Sequence, residues 1–194
     1  HRLSLYQTPL EGLTSEPASL IVPRKAVVEL ARLAGSADDS VEVSFSTSHF
    51  RVAGPTFTFT SVLIDGRFPD YERVVPQGGD HVVRVDRKRL REVLVRAAIL
   101  SSEQYRGVRL CLSQGQIDVM ANNAEQEEAQ ESLEAEFVGL DGFEIGFNVS
   151  YLIDVLATIE TEMVELRFGD SNRSALVLGV GDDAARYVVM PMRL

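Results

Sequence analysis

The pattern of apolar and polar positions along this chain changes period three times in the same way. Three stretches carry apolar residues at helical spacing: VPRKAVVELARLA from Val22, VDRKRLREVLVRA from Val85 and FNVSYLIDVLATI from Phe147. The stripes are Val27, Leu30, Ala31 and Ala34, then Leu90, Val93, Leu94 and Ala97, then Leu152, Val155, Leu156 and Ile159. A stripe of that width suits a helix lying on a sheet. Each helix opens on a suitable residue. Pro23 fits a first turn, while the side-chain oxygens of Asp86 and Asn148 accept from free backbone N–H groups.

Behind each stripe the period drops to two. Val41, Val43 and Phe45 alternate with Glu42 and Ser44, and Ile117 and Val119 flank Asp118. Leu133, Ala135 and Phe137 alternate with Glu134 and Glu136, and Val164, Leu166 and Phe168 with Glu165 and Arg167. The turn-forming runs SADD, SQGQ and GDSNR separate these segments. Alternation of this kind predicts antiparallel sheets with one face buried and one wet. The opening HRLSLY alternates too, so the chain is expected to be a piece of a longer protein that starts inside a strand. The closing YVVMPMRL reads as a final strand from Tyr187 to Met190, stopped by Pro191.

The repeating unit is therefore a strand, a helix and about three strands, with starts at Val22, Val85 and Phe147, 63 and 62 residues apart. One unit cannot cover its own sheet, so two units back to back make a domain with both helices on one face. The expected class is α+β. Residues 77–194 form one complete two-unit domain, and residues 1–76 the second half of another.

Composition narrows the function. An apolar share of 45% and a charged share of 25% are ordinary for a globular protein. No apolar run approaches the roughly 18 residues of a membrane span, so no membrane partner is expected. A net charge of −10 argues against a generic nucleic-acid binder. The charge is segregated, however: Arg87, Lys88, Arg89, Arg91 and Arg96 lie together in segment 86–96, whereas segment 125–136 holds glutamates and no base. Cys111 is the only cysteine, which fits a reducing cytoplasm and reads as an unreactive strand thiol.

An enzyme reading finds little to work with. His1, His49 and His81 are dispersed, and the common metalloprotease, hydrolase, redox and phosphate-loop motifs are absent. The glutamate run lacks the glycine and ligand spacing of a calcium loop. The chain reads as non-catalytic, with no cofactor and no metal. A scaffold repeat protein of the same fold is the alternative, but it would not need a methionine-rich apolar end.

The blocks DGRFPDY (Asp65 to Tyr71), RAAILSSEQYRGVRL (Arg96 to Leu110), ANNAEQEEA (Ala121 to Ala129), IGFNVSYLIDVL (Ile145 to Leu156) and the terminal YVVMPMRL resemble the bacterial DNA polymerase III β sliding clamp family. The likeness runs through essentially the whole chain in order. It implies a DNA clamp fold: a head-to-tail homodimeric ring of three-domain subunits that encircles duplex DNA. On that reading this chain holds the second half of the middle domain and all of the third. It would act as a processivity factor, tethering the polymerase III α subunit, the clamp loader and repair proteins through a groove for short peptides.

The resemblance also implies residue roles. Arg24, Lys25, Arg32, Arg87, Lys88, Arg89 and Arg91 would face the DNA, attracting phosphate without reading bases. Arg96, Ile99, Leu100, Glu125, Glu127, Glu128 and Glu131 would belong to the dimer interface. The peptide groove would take His1, Arg2 and Leu3 from the opening strand, and Pro69, Arg73 and Val74 from the PDYERV loop. It would also take Asn148, Tyr151, Asn172 and Ser174, and then Val188, Val189, Met190, Pro191, Met192, Arg193 and Leu194 from the tail. Leucine, valine and methionine make a socket that re-packs around different ligands.

Overall fold

A computed structural model describes residues 1–10, 18–34, 40–76, 78–102, 104 and 106–193. In chain order the first elements are β1 (Arg2–Tyr6), α1 (Arg24–Ala34), β2 (Glu42–Phe45), β3 (His49–Ala53) and β4 (Thr58–Val62). A short 3-10 turn (Tyr71–Arg73) leads to β5 (His81–Asp86), α2 (Arg87–Leu100), β6 (Gly107–Ser113), β7 (Gln116–Asn122), β8 (Glu128–Glu134) and β9 (Glu136–Val138). The last elements are β10 (Phe143–Asn148), α3 (Val149–Thr158), β11 (Met163–Phe168), β12 (Ala175–Gly179) and β13 (Ala185–Val189). The strand–helix–three-strand unit recurs from β5 and from β10. Two compact units result: His1–Pro9 with Tyr71–Leu194, and Leu10–Asp70.

The larger unit has two antiparallel sheets, ordered β1-β13-β12-β11-β5-β9 and β10-β6-β7-β8. The chain passes from one sheet to the other at Ala135, between β8 and β9, where the Ala135 N–H donates to the Gly115 carbonyl at 3.0 Å. Helix α2 starts where the Asp86 carboxylate accepts from the Arg89 N–H at 2.8 Å. Helix α3 starts where the Asn148 side chain accepts from the Ser150 N–H at 3.0 Å. Both expected N-caps therefore form. All eight stripe residues of α2 and α3 are buried, in one core with the inner faces of both sheets. Val108, Leu110 and Leu112 of β6 join them from one side of the strand, which leaves Cys111 half-buried on the other.

Strand β1 is drawn into this unit by pairing with β13, from Arg2 opposite Val189 to Tyr6 opposite Ala185. Nothing local in HRLSLY specifies a partner at the far end of the chain.

The smaller unit holds α1 and the antiparallel sheet β2-β3-β4. Its stripe expectation fails in part. Val27 and Ala31 are exposed, as are Val43 and Phe45 of β2, and only Ala26 and Val52 are buried among the described residues. Periodicity marks the side of an element that ought to be covered, but one helix and three strands supply too little to cover it. Pro23 also stands one residue ahead of its expected place. The helix begins at Arg24, and the Pro23 carbonyl accepts from the Val27 N–H at 3.1 Å.

Candidate functional site

Strand alternation sorts the six-stranded sheet into two faces. Across the face turned away from the core, Leu3 stands opposite Val188, Val188 opposite Leu176, and Leu176 opposite Arg167. The next row on this face runs through Leu178, Glu165, Arg84 and Glu136. An apolar corner therefore adjoins a charged stripe. Val188 and Leu176 are both buried, yet neither belongs to the main core cluster. Val75 and Pro76, next to Val74 in the loop, line a cavity of about 260 Å³ with Leu176, Leu178, Arg167 and Arg186. Leu176 escaped the sequence reading because ALVLG is apolar or small throughout and gives no alternation to read.

Glu165 anchors the charged stripe. It is only 5% exposed and accepts hydrogen bonds from Arg84 at 2.6 Å and Arg167 at 2.5 Å. Burial pushes its carboxyl upward, but the two guanidinium bonds outweigh that and hold it below the usual carboxylate value. Two fixed positive groups are thus kept beside the apolar corner.

The other face of the sheet meets the helices, and Val189 lies there. It is fully buried in the core cluster, which removes it from the candidate groove: one residue of shift along a strand reverses the direction of the side chain. Arg2, opposite Val189, has its guanidinium 4.8 Å from the Tyr151 ring centre and paired with Asp154. The tail beyond β13 is held by its backbone. Met190 N–H donates to the His1 carbonyl at 2.9 Å, and Met192 N–H to the Gly146 carbonyl at 2.9 Å. Met192 and Arg193 line a cavity of about 450 Å³ with Arg109, Asn122 and Asn123.

The remaining groove candidates are less concentrated. Asn148 spends its side-chain oxygen on the α3 cap, and Tyr151 packs partly into the core. Asn172 is exposed in the turn after β11, where its N–H donates to Asp170 at 2.8 Å, and Ser174 is half-buried just before β12. Arg73 and Val74 are exposed, with the Val74 N–H donating to the Tyr71 carbonyl at 2.9 Å. Pro69 is exposed in the smaller unit, and Pro191 is half-buried. Leu194 lies outside the described residues.

Of the cations read as DNA-facing, Arg24, Lys25, Lys88 and Arg89 are exposed. Arg87 is not available for that role. Its Nε donates to the Thr161 carbonyl at 2.9 Å and its Nη1 to the Leu156 carbonyl at 3.0 Å, which ties the start of α2 to the end of α3. Arg91 turns inward as well, with a buried Nε that has no partner among the described residues. Arg32 is exposed but shared with Glu29, one turn back, at 2.6 Å.

The candidates for the dimer interface cluster around the free edge of β8. Ile99 is 77% exposed at the end of α2, with Leu100 half-buried beside it. Glu125, Glu127 and Glu128 are exposed, and Glu127 is held by Asn123 in both directions, at 2.7 and 2.9 Å. Arg96 and Glu131 already pair with each other through two bonds of 2.7 Å. The guanidinium holds the Glu131 carboxyl below its usual value.

Residues 1–70 match the central domain of the DNA polymerase III beta subunit, and residues 72–193 its C-terminal domain. The chain belongs to the DNA polymerase III β-subunit family. It is 51% identical over 194 residues to the beta sliding clamp of Pseudomonas aeruginosa and 44% identical to that of Escherichia coli. It spans about half the length of these relatives: 100% of this chain against 53% and 52% of theirs. A crystal structure of a Pseudomonas aeruginosa sliding clamp bound to griselimycin superimposes with a TM-score of 0.96, covering 100% of this chain and 52% of that one. The clamp fold that the resemblance implies is the fold of these relatives.

Proposed function

We propose that this chain is the peptide-docking part of a sliding clamp, a non-catalytic processivity factor whose whole form encircles duplex DNA as a ring. One observation carries the reading. An apolar row, Leu3–Val188–Leu176, lies at one corner of a sheet whose last strand runs into a tail pinned by two backbone bonds. A terminus built into the sheet in this way can present Met190 and Met192 at fixed positions, which a frayed end cannot. Similarity along the whole of this chain to about half of each sliding clamp supports the same assignment.

The partners proposed are the polymerase α subunit, the clamp loader and repair proteins, each docking a short peptide with apolar anchors. Lys88, Arg89, Arg24 and Lys25, all exposed, supply weak sequence-independent attraction to duplex DNA. Ile99, Leu100 and the β8 edge glutamates are the proposed contact with a second subunit, and a cytoplasmic location fits this role. The test is a fluorescence-anisotropy titration of a labelled peptide with a glutamine and apolar anchors, with and without residues 190–194. Saturable binding that disappears on deletion supports the reading. Saturable binding indifferent to the deletion overturns the groove.

A further inference from the structure

The tail that closes the proposed groove also walls a second opening. Met192 and Arg193 stand on one side of a cavity of about 450 Å³, and Arg109 and Asn122 on the other. Local sequence makes the room. Val108 and Leu110 of β6 and Val119 and Ala121 of β7 are buried in the core, so Arg109 and Asn122 project from the far face of the sheet. Gly107 lines the cavity without a side chain, and Gly146 stands opposite Arg109 with none to place between that arginine and the tail. The Met192 N–H, donating to the Gly146 carbonyl at 2.9 Å, fixes the tail against this edge.

The charge of this lining runs against that of the chain. The cavity carries two arginines and no acid, in a protein of net charge −10. The cavity beside Val75 and Pro76 instead balances Arg167 and Arg186 with Asp182 and Asp183, and the cleft at Arg2 contains Asp154. The neighbouring acids leave both cations open. Glu127 is held by Asn123 in both directions, and Glu144 reaches Arg109 only at 3.4 Å, beyond the usual length of such a bond. Arg193 is exposed and has no ion pair among the described residues. The opening lies across the sheet from α2, so the exposed Lys88 and Arg89 do not face the same ligand. That placement favours a carboxylate on a docked protein over the phosphates of duplex DNA.

We propose that this cavity is a flanking subsite for docked peptides: Arg109 and Arg193 receive an acidic side chain beyond the apolar anchors, while Met192 packs on its stem. The proposal rests on the peptide-docking function of this chain and extends it to a residue, Arg109, outside the groove. Opposite charges placed in this way add modest affinity and are screened by salt. The test uses labelled peptides that share the glutamine and apolar anchors and carry, at one end or the other, two added glutamates or two added glutamines. Each is titrated by fluorescence anisotropy against the parent chain, Arg109→Gln and Glu144→Gln, at low and high salt.

At one end of the peptide the glutamates are expected to tighten binding to the parent by about twofold to fivefold over the glutamines at low salt, the range of an exposed ion pair, and by less at high salt. Arg109→Gln is expected to abolish that gain without changing the affinity of the neutral peptides. Glu144→Gln, which frees Arg109 and removes a competing carboxylate, is expected to enlarge it. Glutamates that bring no gain at either end, or a gain that survives Arg109→Gln, overturn the proposal while leaving the groove intact. Equal weakening of acidic and neutral peptides in Arg109→Gln also overturns it, since a merely structural residue would act on both alike. Failure of the neutral peptides to saturate the parent chain overturns the groove reading and the proposal with it.

Discussion

The two units are built from the same repeat and differ in how much of it is covered. In the larger one, α2 and α3 lie over two sheets and every stripe residue is buried. In the smaller one, α1 carries an equally regular stripe, but only Ala26 of that helix is buried. Val28, Val43, Phe45, Val62 and Ile64 are exposed large apolar residues of the same unit. The repeat therefore encodes a surface that needs a second copy, and the second copy, not the pattern, makes a core.

The strongest way to break this comparison is to cut the core on each side. Phe147 is fully buried, with its ring 6.1 Å from that of Phe168. Phe147→Ala is expected to cost about 3–5 kcal/mol in urea denaturation followed by circular dichroism. Val52 is the best-buried residue of the smaller unit's sheet among the described residues, yet Val52→Ala is expected to cost about 1.5–3 kcal/mol at most. Equal losses would mean that the smaller unit has a core of comparable strength. Amide exchange should agree, with protection lower across α1 and β2–β4 than across α2 and β5–β7.

The next contrast lies within the repeat itself. Arg24 and Arg87 occupy equivalent positions in VPRKAV and VDRKRL, and both read as DNA-facing. Arg87 instead satisfies two carbonyls, one near the end of α3 and one beyond it, whereas Arg24 is exposed. Arg87→Ala strips the Leu156 and Thr161 carbonyls of their donors in a part-buried setting. It should cost about 1–3 kcal/mol of stability in the same assay, with little effect on the salt dependence of DNA binding. Arg24→Ala should leave stability unchanged and lower that salt dependence. The reverse pattern would restore Arg87 to the DNA-facing set.

These cases show where the sequence was readable. The stripes of α2 and α3, both side-chain caps and the alternation of β6, β7 and β11 follow from local spacing, because the cause of each lies within a few residues. The β1–β13 pairing, the Arg87 bonds and the Arg2–Asp154 pair join residues 69 or more positions apart, and no local period records such a partner. Val189 was misplaced for a different reason. In YVVM, consecutive apolar residues hide which one faces the core, and only the register opposite Arg2 decides it.

Acid titration sharpens the comparison by a smaller margin. Glu165 is a buried carboxylate of the larger unit, and its carboxyl is held below the ordinary value of 4.5 despite the opposing effect of burial. A group depressed in the folded state contributes its full stability above the unfolded value, and loses it as pH falls through the lower folded value. Glu165→Gln is therefore expected to lower stability at neutral pH by about 1–2 kcal/mol and to flatten the fall in stability below pH 4.5. Identical acid limbs for parent and variant would show that the Arg84 and Arg167 bonds add nothing to stability.

The smallest contrast is between two arginine–glutamate pairs of similar geometry, one in each unit. Arg32 and Glu29 sit one turn apart on α1, while Arg96 on α2 grips Glu131 on β8, 35 residues away. Both carboxyls are held below their usual value, chiefly by the hydrogen bond from the arginine. Exposed pairs of this kind contribute little and are screened by salt. What distinguishes them is what they join: the first links neighbours on one helix, whereas the second fastens a helix to the free edge of a sheet. Thermal melts of Glu29→Gln and Glu131→Gln at low and high salt are expected to show no shift for the first. The second should show a small destabilisation at low salt that vanishes at high salt. A larger shift for Glu29→Gln would mean that α1 depends on its own surface pairs for stability, as a helix without a covering layer would.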